Sequence, residues 1–197
     1  MHMTIHTAHD PILKVQALNL VASRYCDLGY DVGQLAPGYG ETIMVAMIRD
    51  ELAATITLRH ERMGTLACKT TFPYEIEELR QTLNATAPSL IEVGRFATST
   101  RLTPAALGEL FLTSARTFAR DGVDMDLIIE VNPKHRRFYE RALGFKAISK
   151  TRHCPRVNAP AVLMHLHVDS MPHTQNTRLL RQQTTRPDMD SLAPSFH

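Results

Sequence analysis

Hydrophobic residues recur along the chain at two spacings, one typical of helices and the other typical of strands. Helical spacing predicts helices over residues 10–30, 73–83, 103–122 and 132–144. Compact apolar runs rich in β-branched residues predict strands at 42–48, 52–58, 90–98, 125–131 and 161–168. The run at 125–131 has the composition of a fully buried strand, whereas the alternation at 161–168 is typical of a half-exposed one.

The order of these segments predicts the fold class. Helix, hairpin, short helix, strand, helix, strand, helix and strand follow one another, and this order is typical of an α/β protein. We therefore expect a mixed central sheet with helices on both faces. The strand and helix alternation over 90–145 predicts at least one right-handed parallel crossover.

Short polar signals mark where several of these elements begin and end. The charged residues 49–51 separate the first two strands and predict a hairpin turn. Thr103 suits the N-cap of the third helix, and Pro104 suits its first helical position. Gly122 and Gly144 stand where the C-caps of the last two helices are expected.

Composition and charge limit the domain count and the classes of partner. The chain has 197 residues, 44% of them hydrophobic, and a net charge of only +2. This length fits one domain with a filled core, and the low charge argues against a nucleic-acid partner. After Asp169 the sequence is rich in Thr, Gln, Pro and Ser. We therefore predict a folded domain at 1–169 and a flexible tail at 170–197.

Cysteine usage and the N-terminal segment bear on the compartment. Cys26, Cys68 and Cys154 are odd in number and form no CxxC pair, so reduced thiols are expected rather than disulfides or structural zinc. The N-terminus is polar, and no apolar stretch approaches about 20 residues, so neither a signal peptide nor a membrane span is predicted. Together these features predict a cytoplasmic protein.

Charged side chains interrupt the strand at 90–98 in an unusual way. The segment IEVGRFAT places Glu92 and Arg95 within an otherwise apolar run. Strand charges survive burial only when they are paired and hydrogen-bonded, so a purely structural ion pair is one interpretation. A reaction centre is the other, because ligands bind at the carboxyl ends of the central strands in open α/β sheets.

Two motifs in the second half of the chain resemble those of a known family. EVGRFAT is similar to the Glu-x-Ser/Gly-Arg-Phe/Leu-Ala signature of acyl-homoserine lactone synthases and of long-chain N-acyl amino acid synthases. VNPKHRRFYERALGF, followed by CPRVNAPAVLMHLHV, resembles the latter more closely. Both families have the Gcn5-related N-acyltransferase-like fold. The resemblance therefore implies an N-acyltransferase that moves a fatty acyl group to the amine of an amino acid.

The segment before the third helix bears on the acyl donor. Acetyl-coenzyme A enzymes of this fold usually carry a glycine-rich loop there, whereas this chain has TSTRLTP. Glycines let backbone N–H groups reach a pyrophosphate at a helix N-terminus. The resemblance implies acyl carrier protein as the donor, with the acyl-phosphopantetheine arm as a substrate and no bound cofactor. That donor has no ADP, which fits a segment without glycine.

The resemblance also implies roles for individual residues. Glu92 is expected to accept the proton of the acceptor amine, directly or through water. Arg95 is expected to orient Glu92 or to bind the acceptor carboxylate. Tyr139 is expected to donate to the departing thiolate, although a core aromatic is an equal interpretation. Strand alternation places Glu92, Gly94 and Phe96 on one face, unless a bulge near Gly94 changes this and aims a backbone N–H at the oxyanion.

Further residues near the strand ends are candidates for substrate and carrier contacts. The candidate substrate-binding residues are Phe96, Ala97, Asn132, His135 and Phe138. The last helix also has a basic side, which predicts a dock for an acidic carrier protein or, alternatively, an ordinary solvated face. Its candidate docking residues are Lys134, Arg136 and Arg137.

Other interpretations of the same sequence remain open. His165 and His167 share a strand face, but no third ligand lies nearby in sequence, and no metal site is predicted. A coenzyme A-dependent N-acetyltransferase and a non-catalytic module that binds acyl carrier protein both fit the predicted fold. An acyl-homoserine lactone synthase is disfavoured, because that family begins with an Arg- and Trp-containing segment and this chain has no Trp.

Overall fold

The computed structural model describes residues 3–30, 35–83, 89–117 and 125–168. Within these residues, eight strands form the sheet: β1 Met3–Thr7, β2 Glu41–Ile48, β3 Glu51–His60, β4 Ser89–Thr98, β5 Met125–Val131, β6 Lys146–Ala147, β7 Arg152–Cys154 and β8 Ala159–His167. The strand order is β1-β2-β3-β4-β5-β8-β6, with β7 also paired to β8. Among the described strands, β4 and β5 form the parallel pair, and the other pairs are antiparallel.

Four α-helices connect these strands in the described part of the chain: α1 Pro11–Asp27, α2 Pro73–Thr82, α3 Pro104–Arg116 and α4 Arg136–Phe138. Single 3₁₀ turns lie at Glu61–Met63, Ala67–Thr70 and Pro133–His135, and α4 continues into a π-helical turn at Tyr139–Leu143. Asp10 caps α1 by accepting from the Ile12 N–H at 2.9 Å. Thr103 caps α3 by accepting from the Ala106 N–H at 3.2 Å.

The helices cover both faces of the sheet, as predicted. Leu90 of β4 packs in one cluster with α2, whereas Ile91, the next residue, packs with α3 on the opposite face. The helix α1 packs on Ile43 and Val45 of β2, which share the face of Leu90 through the register of β2, β3 and β4. The α1 and α2 helices therefore lie on one face and α3 on the other.

Several sequence predictions are confirmed at the level of elements. The charged hairpin turn joins β2 and β3, with Arg49 and Asp50 at φ of 53° and 62°. Gly144 ends the last helical segment in the left-handed region at φ 82°. The parallel pairing of β4 with β5 also follows the predicted crossover.

Other elements differ from their predictions. The strands β1, β6 and β7 were not predicted, because they are short and mostly polar. The last strand is largely buried rather than half-exposed, since it lies between β5 and β6 with helices over both faces. The described part of the third helix ends at Arg116. Gly122 and the predicted tail at 170–197 lie outside the described residues.

No helix in the described part of the chain is long and apolar enough to cross a membrane.

Candidate active site

The two parallel strands separate at their carboxyl ends. Their pairing runs from Ser89 and Met125 to Val93 and Ile129. Beyond Val93, the register between β3 and β4 shifts, so that Arg95 and Phe96 together lie opposite a single β3 residue. Arg95 occupies the left-handed region at φ 47°. This is the bulge that the sequence permits near Gly94, and it interrupts the regular pairing of β4 with β3.

A cavity of about 920 Å³ opens at this gap. Its size lies near the top of the range for small-molecule sites. The end of α1, the turn after β7 and the start of β8 complete its wall. Eight residues predicted from the sequence line it: Glu92, Arg95, Phe96, Ala97, Asn132, His135, Phe138 and Tyr139.

Glu92 is held rigidly at the base of this cavity. Its side chain is only 3% exposed. One carboxylate oxygen accepts the Ala67 N–H at 2.5 Å, and the other accepts the Cys68 N–H at 3.0 Å. The guanidinium of Arg59 lies 3.5 Å from the first of these oxygens. The 3₁₀ turn at Ala67–Thr70 therefore serves as a backbone clamp on the carboxylate.

Burial raises the pKa of Glu92 above that of an ordinary glutamate, although Arg59 and the two backbone N–H groups lower it in part. A carboxylate whose pKa is raised toward neutrality is a better proton acceptor than a solvated one. The environment of Glu92 therefore suits a general base.

Arg95 does not pair with Glu92, in contrast to the structural pair that the sequence allows. It donates instead to Glu41 at 2.9 Å and to the Ala36 carbonyl oxygen at 3.0 Å. Arg59 joins the two acids, because it forms ion pairs with both Glu41 and Glu92. Charges therefore alternate from Glu92 through Arg59 and Glu41 to Arg95.

The bulge also changes which residues share a face. Phe96 packs edge-to-face on Phe111 of α3, with ring centroids 5.7 Å apart. Glu92 lies on the opposite face, beside Leu90 and the turn at Ala67–Thr70. Simple alternation, which places Glu92 and Phe96 on one face, is therefore wrong at this position.

Tyr139 forms part of an aromatic cluster beside the cavity. Its ring contacts Phe111, Phe138 and Phe145 at centroid distances of 5.2 to 6.4 Å. Within the described residues its hydroxyl has no hydrogen-bond partner. Burial raises the pKa of Tyr139 above the ordinary tyrosine value, and Tyr25 adds to this effect. The hydroxyl therefore stays protonated at neutral pH and retains a proton to donate.

The remaining predicted residues lie on or beside the segment that follows β5. Asn132 accepts the Lys134 N–H at 3.0 Å, so its side chain also caps the 3₁₀ turn. His135 and Phe138 line the cavity from the exposed side of this segment. The three predicted docking residues, Lys134, Arg136 and Arg137, are exposed. Arg136 also pairs with Glu140 at 2.6 Å.

The start of α3 has few backbone donors left for a ligand. Pro104 carries no N–H, Ala106 donates to the Thr103 hydroxyl, and Leu107 donates to the Thr103 carbonyl at 3.0 Å. Arg24 binds the carbonyl oxygens of the preceding residues Thr98 and Ser99 at 2.9 and 3.1 Å. Of the residues 104–107, this leaves the Ala105 N–H as the donor without a described partner.

Comparison with known proteins identifies the family. The sequence model of the family "FeeM: N-acyl amino acid synthase FeeM" matches residues 16–167. The chain belongs to this family. It is therefore an N-acyltransferase, and the resemblance stated from its motifs is confirmed. No curated protein sequence matches it.

Solved structures of related folds agree with this assignment. FeeM, described as an N-acyl amino acid synthase from uncultured soil microbes, is 25% identical, with 86% of this chain and 92% of that chain covered and a TM-score of 0.71. The acyl-homoserine lactone synthase LasI is 16% identical, covering 85% and 90%, with a TM-score of 0.61. Aminoglycoside 6'-acetyltransferase type Ii is 16% identical, covering 88% and 100%, with a TM-score of 0.53. The last two show the acetyltransferase-like fold.

Four residues that line the cavity were not predicted from the sequence. Arg59, Glu130, Arg156 and Tyr25 all line the cavity. Arg59 and Glu130 stand in strands, as Glu92 does, so a charge within an apolar run was a usable signal for them. Tyr25 lies at the end of an amphipathic helix, where nothing in the sequence separates a cavity residue from a surface one. Burial raises the pKa of Tyr25 to about 12.

His165 and His167 have an identifiable partner in the structure. Both contact the same carboxylate oxygen of Asp126, at 2.6 and 3.3 Å. Among the described residues no group of three His, Cys, Asp or Glu side chains is arranged to hold a metal ion. The pair therefore joins β8 to β5.

Proposed function

We propose that this N-acyltransferase takes a fatty acyl group from acyl carrier protein and transfers it to the amine of an amino acid. The start of α3 carries this proposal. A coenzyme A donor brings a pyrophosphate, which in this fold needs several free backbone N–H groups at a helix N-terminus. Here Pro104 carries no N–H and the Ala106 N–H donates to the Thr103 hydroxyl, so two of the first three helical positions offer no donor. An acyl-phosphopantetheine arm has no pyrophosphate and therefore does not need these N–H donors.

The cavity supports the proposal through its size and its mixed lining. Apolar side chains, among them Val93, Phe96, Ile129 and Val131, line the gap between β4 and β5 and suit an acyl chain. Charged groups lie on the side of Glu92, where a polar acceptor is expected. The cavity therefore offers separate surfaces to the two parts of an N-acyl amino acid.

The proposed reaction is a direct transfer. The neutral amine nitrogen attacks the thioester carbonyl carbon, and Glu92 takes the amine proton through a bridging water, because both its oxygens already accept backbone N–H bonds. We expect backbone N–H groups at the Arg95 bulge to stabilise the oxyanion. The carbon–sulfur bond then breaks, and Tyr139 protonates the thiolate of the pantetheine arm. The proton held by Glu92 returns to the Tyr139 oxygen through water, which restores both side chains. An amide and a free thiol result.

The carrier protein is proposed to dock beside the cavity. Lys134 and Arg137 are exposed on the same short segment from which His135 and Phe138 line the cavity. An acidic carrier bound to them would present its arm at the cavity mouth, and opposite charges would steer its approach.

Cysteine chemistry supports a cytoplasmic location, which we propose as well. Cys26, Cys68 and Cys154 are free thiols, and Cys26 is exposed. Unpaired thiols of this kind are typical of a reducing compartment.

A comparison of donors tests the proposal. The same dodecanoyl group is supplied on acyl carrier protein or on coenzyme A, with a pool of amino acids as acceptors, and initial rates are compared as kcat/KM. We expect the carrier-bound donor to be favoured at least about tenfold, because one factor of ten corresponds to about 1.4 kcal/mol of lost pyrophosphate contacts. We also expect no inhibition by 3'-phosphoadenosine 5'-diphosphate, the part of coenzyme A that contains the pyrophosphate. Equal or better use of the coenzyme A donor, together with inhibition by this nucleotide, would make the chain a coenzyme A-dependent enzyme instead.

A further inference from the structure

Arg156 is anchored inside the cavity wall by an ion pair that no other cavity residue shares. It lies in the turn between β7 and β8 and pairs through Nη2 with Glu130 of β5. The second oxygen of Glu130 accepts from the Thr71 hydroxyl at 3.2 Å. The Glu130 side chain is 9% exposed, so Arg156 is fixed from a buried acid. Its position is therefore set by the fold and not by a ligand.

Five arginines line the cavity: Arg24, Arg59, Arg95, Arg101 and Arg156. Arg95 is bound through Nη1 alone, and neither Arg95 nor the exposed Arg101 is among the cations that act on Glu92. Arg24 uses Nε, Nη1 and Nη2 on the Thr98 carbonyl, Asp27 and the Ser99 carbonyl. Arg59 spans two carboxylates and is 15% exposed, and Arg95 is 22% exposed against Glu41. Arg156 is 36% exposed and contacts one carboxylate through one nitrogen. Because a guanidinium carries five N–H donors, most of those on Arg156 remain available to a ligand.

Arg156 also faces the candidate base. Among the charges that act on Glu92, the two cations are Arg59 and Arg156. Arg59 is already shared between Glu92 and Glu41. Glu130 and Glu92 raise the pKa of Arg156 despite its partial burial, so the guanidinium is a permanent charge. Of the two cations that act on Glu92, Arg156 is therefore the one that is not shared with a second carboxylate and has an open hydrogen-bonding edge.

We propose that Arg156, held by Glu130, is the binding site for the carboxylate of the acceptor amino acid. This inference rests on the proposed function and names the group that selects its acceptor. The free edge of the guanidinium takes the carboxylate, and the adjoining amine is thereby directed toward Glu92. Arg95, for which this role was an alternative in the sequence, is bound to Glu41 and Ala36 through Nη1 and is not among the cations that act on Glu92.

The charge balance of the cavity agrees with this assignment. Glu41, Glu92 and Glu130 are matched by Arg59, Arg95 and Arg156, which leaves the inner network neutral. A neutral network admits a zwitterionic acceptor more readily than a simple cationic amine, which has no carboxylate to offset its charge. The enzyme is therefore expected to discriminate amino acids from the corresponding decarboxylated amines.

A binding experiment without turnover tests the carboxylate site. The probes are N-dodecanoyl-phenylalanine and N-dodecanoyl-phenethylamine, which differ only in the carboxylate. Their Kd values are measured by calorimetry on the full chain, wild type and Arg156→Gln. The matched control is Arg152→Gln, because Arg152 also pairs with a glutamate, Glu75, but does not line the cavity. Circular dichroism verifies that each variant is folded.

We expect the wild type and Arg152→Gln to bind N-dodecanoyl-phenylalanine at least about tenfold more tightly than N-dodecanoyl-phenethylamine. A charge-assisted contact with the carboxylate predicts a difference of this size. In Arg156→Gln the ratio of the two Kd values should fall below about threefold, and the Kd of N-dodecanoyl-phenethylamine should stay unchanged. Arg156→Lys should retain part of the preference, and it serves as the test if Arg156→Gln does not fold.

Two results would overturn the inference. One is a wild-type protein that binds both probes equally, and the other is an Arg156 variant that keeps the full preference for the acid. The proposed function is judged separately by turnover. A wild type that prefers the acid probe but forms no product from carrier-bound acyl groups would refute the proposed function and leave the carboxylate site standing.

Discussion

At the scale of single residues, the environment of Glu92 combines fixed position with raised basicity. Two backbone N–H groups and Arg59 hold the carboxylate in place. Burial raises its pKa at the same time, so the group is ready to take a proton when the cavity is filled. Such a combination is typical of catalytic acids and bases.

Replacing Glu92 removes the proposed base. Glu92→Gln should lower kcat by about 10²- to 10⁴-fold, the usual contribution of a general base, while the KM for the acyl donor stays unchanged. The pH profile of the wild type should fall on the acid side with a midpoint above the ordinary glutamate pKa, because protonation of Glu92 abolishes its role as a base. Steady-state kinetics between about pH 5 and 9 measures the change in kcat and the midpoint of the pH profile.

The matched control for this variant is Glu77→Gln, which alters an exposed glutamate that pairs with Arg80. It should leave kcat and the pH profile as in the wild type. A Glu92→Gln enzyme with wild-type kcat would make the carboxylate a structural ion-pair partner only.

The hydroxyl of Tyr139 can be tested without disturbing the core. Tyr139→Phe keeps the aromatic contacts with Phe111 and Phe145. Since the hydroxyl has no described hydrogen-bond partner, the free energy of unfolding should change by less than about 0.5 kcal/mol. The kcat should fall about 100-fold through loss of the thiolate proton donor. Unaltered kcat would leave Tyr139 as a core aromatic.

Sequence reasoning located part of this site and missed the rest for a physical reason. Glu92 and Tyr139 stand in short local motifs, so they could be found from a few neighbouring residues. The pairing of Glu92 with Arg59 joins positions on adjacent strands, and that of Arg156 with Glu130 depends on a turn folding back over the sheet. Partners of this kind follow from strand register, which no local pattern specifies.

At the scale of elements, the left-handed backbone of three non-glycine residues serves two different purposes. The hairpin turn of Arg49 and Asp50 only reverses the chain, whereas the bulge at Arg95 shapes the cavity. Both sites include an arginine, a residue that disfavours a positive φ.

Substitutions that relieve the backbone strain of the hairpin turn should therefore stabilise the folded protein. The double substitution Arg49→Asn and Asp50→Gly supplies the residues preferred in such turns and should raise the free energy of unfolding by about 1 to 2 kcal/mol. Urea denaturation measures this change, and kcat should stay constant because neither residue lines the cavity. A loss of stability would mean that the side chains of the turn outweigh its backbone strain.

Elements with strong periodicity were predictable, and short ones were not. The helix α3 and the strands β2 to β5 each present a repeated apolar pattern to a packed face. The strand β1 lies at the sheet edge beside β2, so it alternates polar and apolar residues over only five positions. This pattern was too short to distinguish a strand from a polar N-terminal segment. The bulge shifts the register of β4 against β3 by a single residue. The alternation of polar and apolar residues does not predict the position of such a shift.

At the scale of the whole molecule, a charged side-chain contact links the adjacent strands β5 and β8 within the sheet. Burial alone would raise the pKa of Asp126, but hydrogen bonds and charge from His165 and His167 lower it below its ordinary value. A lowered carboxyl pKa adds stability above the unfolded-state pKa and loses it as the pH falls through the folded-state pKa.

Asp126→Asn should accordingly reduce the free energy of unfolding at pH 7 by about 1.5 to 3 kcal/mol, the usual value of a hydrogen bond to a charged group. The difference from wild type should shrink as the pH falls toward and below the ordinary aspartate pKa. Urea denaturation across this range measures it. A constant difference at every pH would show that packing, and not ionisation, accounts for the effect.

The surface beside the cavity provides a test of carrier docking. Lys134→Glu combined with Arg137→Glu should raise the KM for a carrier-bound donor about tenfold, and less so at high salt, without affecting an acyl-pantetheine donor. Lys150→Glu combined with Arg49→Glu changes the net charge equally at exposed sites outside the cavity and should have little effect. Equal effects of the two pairs would make the basic side an ordinary solvated face.

The central claim, that this N-acyltransferase makes N-acyl amino acids with Glu92 as the base, is tested most directly by mass spectrometry of its products. The purified protein is incubated with dodecanoyl acyl carrier protein and a pool of amino acids, beside Glu92→Gln and Glu77→Gln. We expect an N-dodecanoyl amino acid from the wild type and from Glu77→Gln, and almost none from Glu92→Gln. No N-acyl product from the wild type, or equal product from all three proteins, would contradict the account.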